Sequence, residues 1–175
     1  DEKLDYWKRH LESLPPEVTI PYHKTRLLKP TYEANIYHMK LPSSLMNKLK
    51  ELSKRCGVTL FMTLLASLQV LLYKYSTLED IVIGAPISNR AQKEVENLIG
   101  LFASMLTFRA KIKKDTTFFE LLDDTREEVV NAFMHQEIPF EQIITQFLQS
   151  GKCLQENRHP FFQVMFTLEN FAPIE

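Results

Sequence analysis

Apolar positions along this chain change spacing several times, and each change marks a new element. Leu4, Trp7, Leu11 and Leu14 recur every three to four residues, one face of a short helix that Pro15-Pro16 ends. From Pro15 to about Pro30, prolines at 15, 16, 21 and 30 and the lack of periodicity predict an extended connector over the surface. Alternation then takes over in 34–41, with Ile36 and His38 on one face and Tyr37, Met39 and Leu41 on the other, a half-buried strand that Pro42 stops. Ser43 is placed to cap a helix with Leu45, Leu49 and Leu52 inward, lysines 48, 50 and 54 in water, and Gly57 as its stop.

The next segment differs in kind. From Thr59 to about Tyr75 the apolar residues Leu60, Phe61, Met62, Leu64, Leu65, Leu68, Val70, Leu71 and Leu72 surround the helix axis, which predicts a central helix. Residues 80–86 read as a short buried strand, Gln92 to Leu98 as a helical turn, and Met105 to Ile112 as a second strand. Phe118 to Met134 is a long helix with Phe118, Leu121, Leu122, Val129 and Phe133 inward and Asp123, Asp124, Arg126, Glu127 and Glu128 outward. A shorter helix, Phe140 to Leu148, and an apolar strand, Phe161 to Leu168, follow. Alternating strands and helices predict an α/β fold, a two-layer sandwich with helices packed on a mixed sheet.

Length and charge narrow the function classes. One core-forming domain is expected from 175 residues that are 45% hydrophobic. A net charge of −1 supplies no field that would gather nucleic acid or an anionic membrane surface. Cys56 and Cys153 stand apart without metal-ligand spacing, and the charged start 1–7 reads as no export signal, so cytoplasmic residence is expected. With four glycines there is no phosphate-cradling loop, and no Gly-x-Ser-x-Gly elbow offers a nucleophile. No cofactor or metal site is predicted within the chain.

Three segments in fixed order carry the chemistry: Ile99-Gly100-Leu101-Phe102-Ala103-Ser104-Met105-Leu106-Thr107-Phe108-Arg109, His135-Gln136-Glu137-Ile138-Pro139-Phe140-Glu141, and Arg158-His159-Pro160-Phe161-Phe162-Gln163. The trio resembles the C-terminal signature motifs of the condensation domains of nonribosomal peptide synthetases, which join a carrier-bound acyl donor to a carrier-bound amine. Tyr6-Trp7, Val58-Thr59-Leu60-Phe61-Met62, the run 80–86 and Asn89-Arg90 are similar to the same family in the same order.

The resemblance implies a chloramphenicol-acetyltransferase-like lobe, one of two that enclose a tunnel. Residues 1–30 would be the lobe crossover and connector, and 31–175 most of the second lobe. It further implies the partner N-terminal lobe and peptidyl or acyl carrier proteins, whose phosphopantetheine arm delivers the substrate. Arg90, Phe102, Ser104, Arg109, His135, Glu141 and Arg158 are the candidates for tunnel or lobe-interface positions. The family's catalytic His-His-x-x-x-Asp-Gly motif has no counterpart, since His10, His23, His38, His135 and His159 are all isolated. Ala103, Ser104 and Met105 stand where the family carries Val, Asn and Thr, and Leu154-Gln155 replaces its Arg-Asp pair.

Two other readings stay open. His135 could serve a self-contained acyltransferase as general base, although at a helix C-terminus an imidazole also has a structural use. Arg90 and the lysine-bearing helix could instead dock an acidic carrier protein. A truncated sheet would leave an apolar edge, expected at Phe161 to Leu168, and with it self-association.

Overall fold

The computed structural model describes residues 2–15, 18, 20, 33–90, 93–95, 98–149 and 159–169. Five helices and two strands run in the order α1 (Glu2–His10), α2 (Ser43–Arg55), α3 (Leu60–Ser76), β1 (Asp80–Ile87), β2 (Ser104–Lys111), α4 (Phe118–Met134) and α5 (Phe140–Gln149). A single 3-10 turn, Lys93–Val95, interrupts the loop between the strands.

The strands pair antiparallel from Asp80↔Lys111 to Ile87↔Ser104, with Gly84 opposite Thr107. A parallel bridge joins Gly84 to Met165, where the Gly84 N–H donates to the Val164 carbonyl (3.0 Å) and the Phe166 N–H to the Gly84 carbonyl (2.8 Å). Among the described residues the sheet is therefore two-stranded and antiparallel, with a single parallel bridge beside it where a mixed sheet was expected. Gly84 is demanded by packing: a Cβ there would lie 2.2 Å from the Phe162 ring.

Helices α3 and α4 lie against each other, with α3 on β1 and α4 on β2. Leu65, Ile81, Ile83, Leu106, Phe108 and Trp7 fill the main core, and Ala66, Ala110, Ile112, Leu121 and Leu122 a second one. Several buried polar side chains inside this layer are paired, while Thr107 Oγ1 and Gln69 Nε2 have no partner among the described residues. Thr125 donates to the Gln69 side chain (3.0 Å), and the Ser53 and Thr63 hydroxyls share a hydrogen bond (2.7 Å) that ties α2 to α3. Threonines cap both long helices, with Thr59 accepting from the Met62 N–H and Thr117 from the Glu120 N–H.

Helix α2 ends as Gly57 predicts. The Gly57 N–H reaches the Lys54 carbonyl and the Val58 N–H the Ser53 carbonyl, a Schellman closure with Gly57 at φ 65°.

Several expectations need correction. Residues 34–41 join no ladder among the described residues, and Ile36, Tyr37 and Met39 are 81%, 89% and 73% exposed. Alternation specifies a strand only when a neighbour accepts its backbone groups. Ser43 is not the cap: it is the first helical residue, and the Pro42 carbonyl accepts from the Leu45 and Met46 N–H groups.

Leu45 faces solvent, and the buried residue of α2 is Ser53. Leu71 and Tyr75 leave one flank of α3 exposed. In α4, Phe133 is exposed while Glu128 turns inward. The segment 161–168 forms one bridge instead of a strand, and its Phe161 and Phe162 are buried. The connector is described only in part, with Val18 buried and its N–H donating to the Gln163 side chain (3.2 Å). Cys153 and Arg158 lie outside the described residues. Among the described residues no single helix is long and apolar enough to cross a membrane.

Candidate functional site

Two of the sequence candidates, Arg109 and His135, both contact α1, Arg109 at its C-terminal end and His135 along its middle. Helix α1 leaves carbonyls exposed at its C-terminus, and its chain turns through Ser13, held at φ 50°. Arg109 projects from β2 into that end, with all five guanidinium N–H groups matched. Nη1 donates to the His10 (2.6 Å) and Glu12 (2.9 Å) carbonyls, Nη2 to the Ser13 carbonyl (2.9 Å) and Asp80 Oδ2 (2.7 Å), and Nε to Asp80 Oδ1 (2.9 Å). A cation here also suits the negative end of the helix dipole.

The same corner holds three more titratable groups. Glu128 Oε1 accepts the Arg109 backbone N–H (2.7 Å) and lies 3.2 Å from His10 Nε2. That second contact lacks hydrogen-bond geometry, since His10 Nε2 is unsatisfied among the described residues, so it is a close polar contact and not a formed ion pair. Burial pushes the Glu128 carboxyl up to about 7, against the pull of Arg109. Burial, then the Arg109 charge, brings His10 down to about 4. Burial and the nearby Glu128 carboxyl raise the Tyr6 phenol. Arg109 is held above its ordinary value first by its hydrogen bonds to Asp80.

Next to this corner, the His135 ring stacks on Tyr6 (centroids 3.9 Å apart, planes 11° from parallel), and Tyr6 in turn stacks on His10 (5.5 Å). Trp7 Nε1 donates to the His135 carbonyl (3.0 Å), and His135 Nδ1 lies 2.7 Å from the Asn131 carbonyl. Glu137, beside it, is ion-paired with Lys3 of α1.

The remaining candidates stand elsewhere. Arg90 donates to the carbonyls of Val95 (2.5 Å), Leu98 (2.7 Å) and Gly100 (3.3 Å), and its guanidinium lies 4.3 Å from the centre of the Phe102 ring. Ser104 is half-buried at the start of β2, opposite Ile87. Glu141 is exposed in the first turn of α5.

An apolar groove of about 740 Å³ runs between the start of α3 and the end of α4, lined by Leu60, Phe61, Val130, Phe133, Met134 and Leu168. It shares Phe61, Phe133 and Leu168 with a smaller hollow of about 250 Å³ that brings in Ser88, Asn89 and Gln136. Sequence reasoning placed none of these groove residues in a site.

It also missed Glu128, Asp80, Tyr6, His10 and His159. Glu128 carried a readable signal, because Leu121, Thr125, Glu128, Ala132 and His135 follow one another at spacings of four and three, a single helix stripe whose Leu121, Thr125 and Ala132 are buried. His159 stacks on Phe162 (3.7 Å), and its Nδ1 accepts the N–H groups of Phe161 and Phe162 (3.4 Å each). Burial lowers its pKa, so a neutral imidazole protonated at Nε2 fits this position.

The family model for the Condensation domain matches residues 1–173. The chain belongs to the condensation-domain family. A linear gramicidin synthase of Brevibacillus parabrevis is 42% identical over 170 residues, which cover 97% of this chain and 3% of that protein.

The X-domain from teicoplanin biosynthesis superposes with a TM-score of 0.85 at 27% identity, covering 94% of this chain and 36% of that one. A four-domain nonribosomal peptide synthetase, holo-AB3403, matches with a TM-score of 0.92 at 24% identity over 99% of this chain and 13% of that one. The fold of this chain is thus the condensation-domain fold, and the chain spans a small part of the proteins it resembles.

Proposed function

We propose that this chain is the second lobe of an amide-forming condensation domain and supplies one wall of its tunnel. The observation that carries this reading is a mismatch of extents. The family match spans residues 1–173, yet the chain covers only 36% of the X-domain structure, and none of its five histidines lies in a His-His-x-x-x-Asp-Gly motif. An N-terminal lobe carrying the catalytic histidine would complete the tunnel.

The groove between α3 and α4 suits the wall role. Its apolar lining offers an acyl or pantetheine arm a dry surface, while Asn89 and Gln136 offer amide groups next to it. The phosphopantetheine arm belongs to the carrier protein and enters as part of the substrate. Arg90, Phe102 and Ser104 are the candidates for the approach between lobes, and Glu141 and Arg158 remain candidates at its rim. Cytoplasmic residence is part of this reading.

Amide formation between two loaded carrier proteins tests the assignment. Product is expected only when the chain is mixed with a separately expressed N-terminal lobe bearing the histidine motif. Product from this chain alone would overturn the reading and point to His135 as a base. A docking role is the second reading, favoured by the X-domain likeness, since that domain has a solved complex with OxyB. No product from either mixture, with carrier binding retained, would select it.

A further inference from the structure

Helix α1 touches the body of the molecule through two sets of contacts with different characters. One set is a lock: Arg109, itself fixed on Asp80, gathers the carbonyls of His10, Glu12 and Ser13, which no regular helix could satisfy. The other set lies on the turn after α4, where Tyr6 stacks on the His135 ring, Trp7 donates to the His135 carbonyl and Lys3 pairs with Glu137. Apart from α1, that turn is anchored by Ile138, which is buried in the main core. The turn's amides reach only local carbonyls, His135 to Ala132 (3.2 Å), Gln136 to Phe133 (3.3 Å) and Ile138 to His135 (3.5 Å).

The lock and the turn sit on different elements, and α1 joins them alongside α4, whose Glu128 accepts the Arg109 backbone N–H and whose end runs into the turn. We propose that α1 and its turn to Ser13 form a docked strap, held by Arg109 at its C-terminal end, which sets the conformation of residues 135–138 packed along its length.

In this arrangement Arg109 is a positioning residue for the His135 turn, though it touches α1 and not the turn. Tyr6 and Trp7 carry the effect, because they are the α1 side chains in contact with His135. Glu128 serves the lock by accepting the Arg109 backbone N–H, which holds β2 in register below the strap. The coupling stands whether or not a second lobe completes the domain.

Hydrogen exchange on the intact chain tests it, comparing the natural sequence with Arg109→Lys and Trp7→Phe. Lysine keeps a cation beside Asp80 but cannot span the three carbonyls. Arg109→Lys should speed exchange about tenfold in 2–14 and by a similar factor in 135–138, while 65–72 and 81–85 stay within about twofold. Trp7→Phe removes the indole N–H and keeps an aromatic ring; it should speed 135–138 and leave 65–72 unchanged. Residues 135–138 keeping their protection while 2–14 lose theirs would overturn the proposal. So would an equal acceleration everywhere, which would make Arg109 a general support of the core. Should Arg109→Lys fail to fold, Trp7→Phe decides alone, an unchanged 135–138 being the result that sinks the coupling.

Discussion

Arg109 and Arg90 perform the same local act in two different settings. Each guanidinium collects three backbone carbonyls from an irregular stretch, 10–13 in one case and 95–100 in the other. Arg109, with 11% of its side chain exposed, sits on a bidentate carboxylate with Glu128 and His10 beside it. Arg90 lies over the half-buried Phe102 and shapes a loop whose Leu98, Ile99 and Leu101 face solvent.

The difference teaches that gathering carbonyls does not by itself create a rigid corner. Exclusion of water and a fixed counter-charge decide how much those bonds contribute. The first arginine joins elements far apart in sequence, and the second mainly organises its own loop.

Replacing each arginine by methionine gives the largest contrast. Arg109→Met strands Asp80 and three carbonyls and is expected to cost about 3 kcal/mol or more in denaturant unfolding. Arg90→Met should cost less than about 1 kcal/mol, since water replaces its loop contacts. Equal losses would erase the distinction between the two corners.

A pH series of intermediate size examines the buried corner alone. Glu128 titrates near 7 in the folded chain against an ordinary 4.5, so its stabilising share is full below about 4.5 and is lost as pH rises through 7. His10 titrates near 4 against an ordinary 6.5, so its share is full above about 6.5 and is lost as pH falls through 4.

Between about 4.5 and 6.5 the two slopes oppose each other and stability should be nearly level. His10→Gln uncovers a fall with rising pH, and Glu128→Gln a fall with falling pH, each approaching about 1.4 kcal/mol per pH unit. The groups facing the pair are Tyr6 from α1, Asp80 from β1 and Arg109 from β2; the Tyr6 phenol and the Arg109 guanidinium are both held above their ordinary values, so neither changes its charge in that window. Unfolding midpoints between pH 4 and 7.5 provide the check, and parallel curves for all three chains would refute it.

The smallest effect belongs to the Arg90 side. The exposed Leu98, Ile99 and Leu101, with Ile36, Tyr37 and Met39, are expected to make the isolated chain self-associate at high concentration. Ile99→Ser should weaken that association in sedimentation and shift stability by no more than about 0.5 kcal/mol. A clean monomer for the natural sequence at high concentration would count against the expectation.

Much of the fold was legible in the sequence, and the reasons are local. Both long helices, both strands of the ladder and the Gly57 stop follow from periodicity and end signals that lie within a few residues of the elements they define. The strand expected at 34–41 did not pair, because pairing is a property of two segments and alternation describes one. Glu128 was assigned to solvent on its charge, whereas its stripe with Leu121 and Thr125 carries it inward.

The corner around Arg109 was only half legible. Arg109 and His135 stood out inside motifs, but the partners of the Arg109 guanidinium lie 29 to 99 residues away along the chain. No short-range pattern encodes such a pairing. The groove was invisible for the opposite reason, since Phe61, Phe133 and Met134 look like any other apolar residues until two helix ends are placed side by side.

Gly84 has a mechanical consequence. The 164–166 segment meets the sheet at this one residue, through two hydrogen bonds and the Phe162 ring seated over its bare Cα. A full ladder spreads tension along a seam, whereas this junction concentrates it at a pivot. A pull delivered through residues 167–169 loads those two bonds before any rung between β1 and β2, so this segment is the first part of the sheet to peel away.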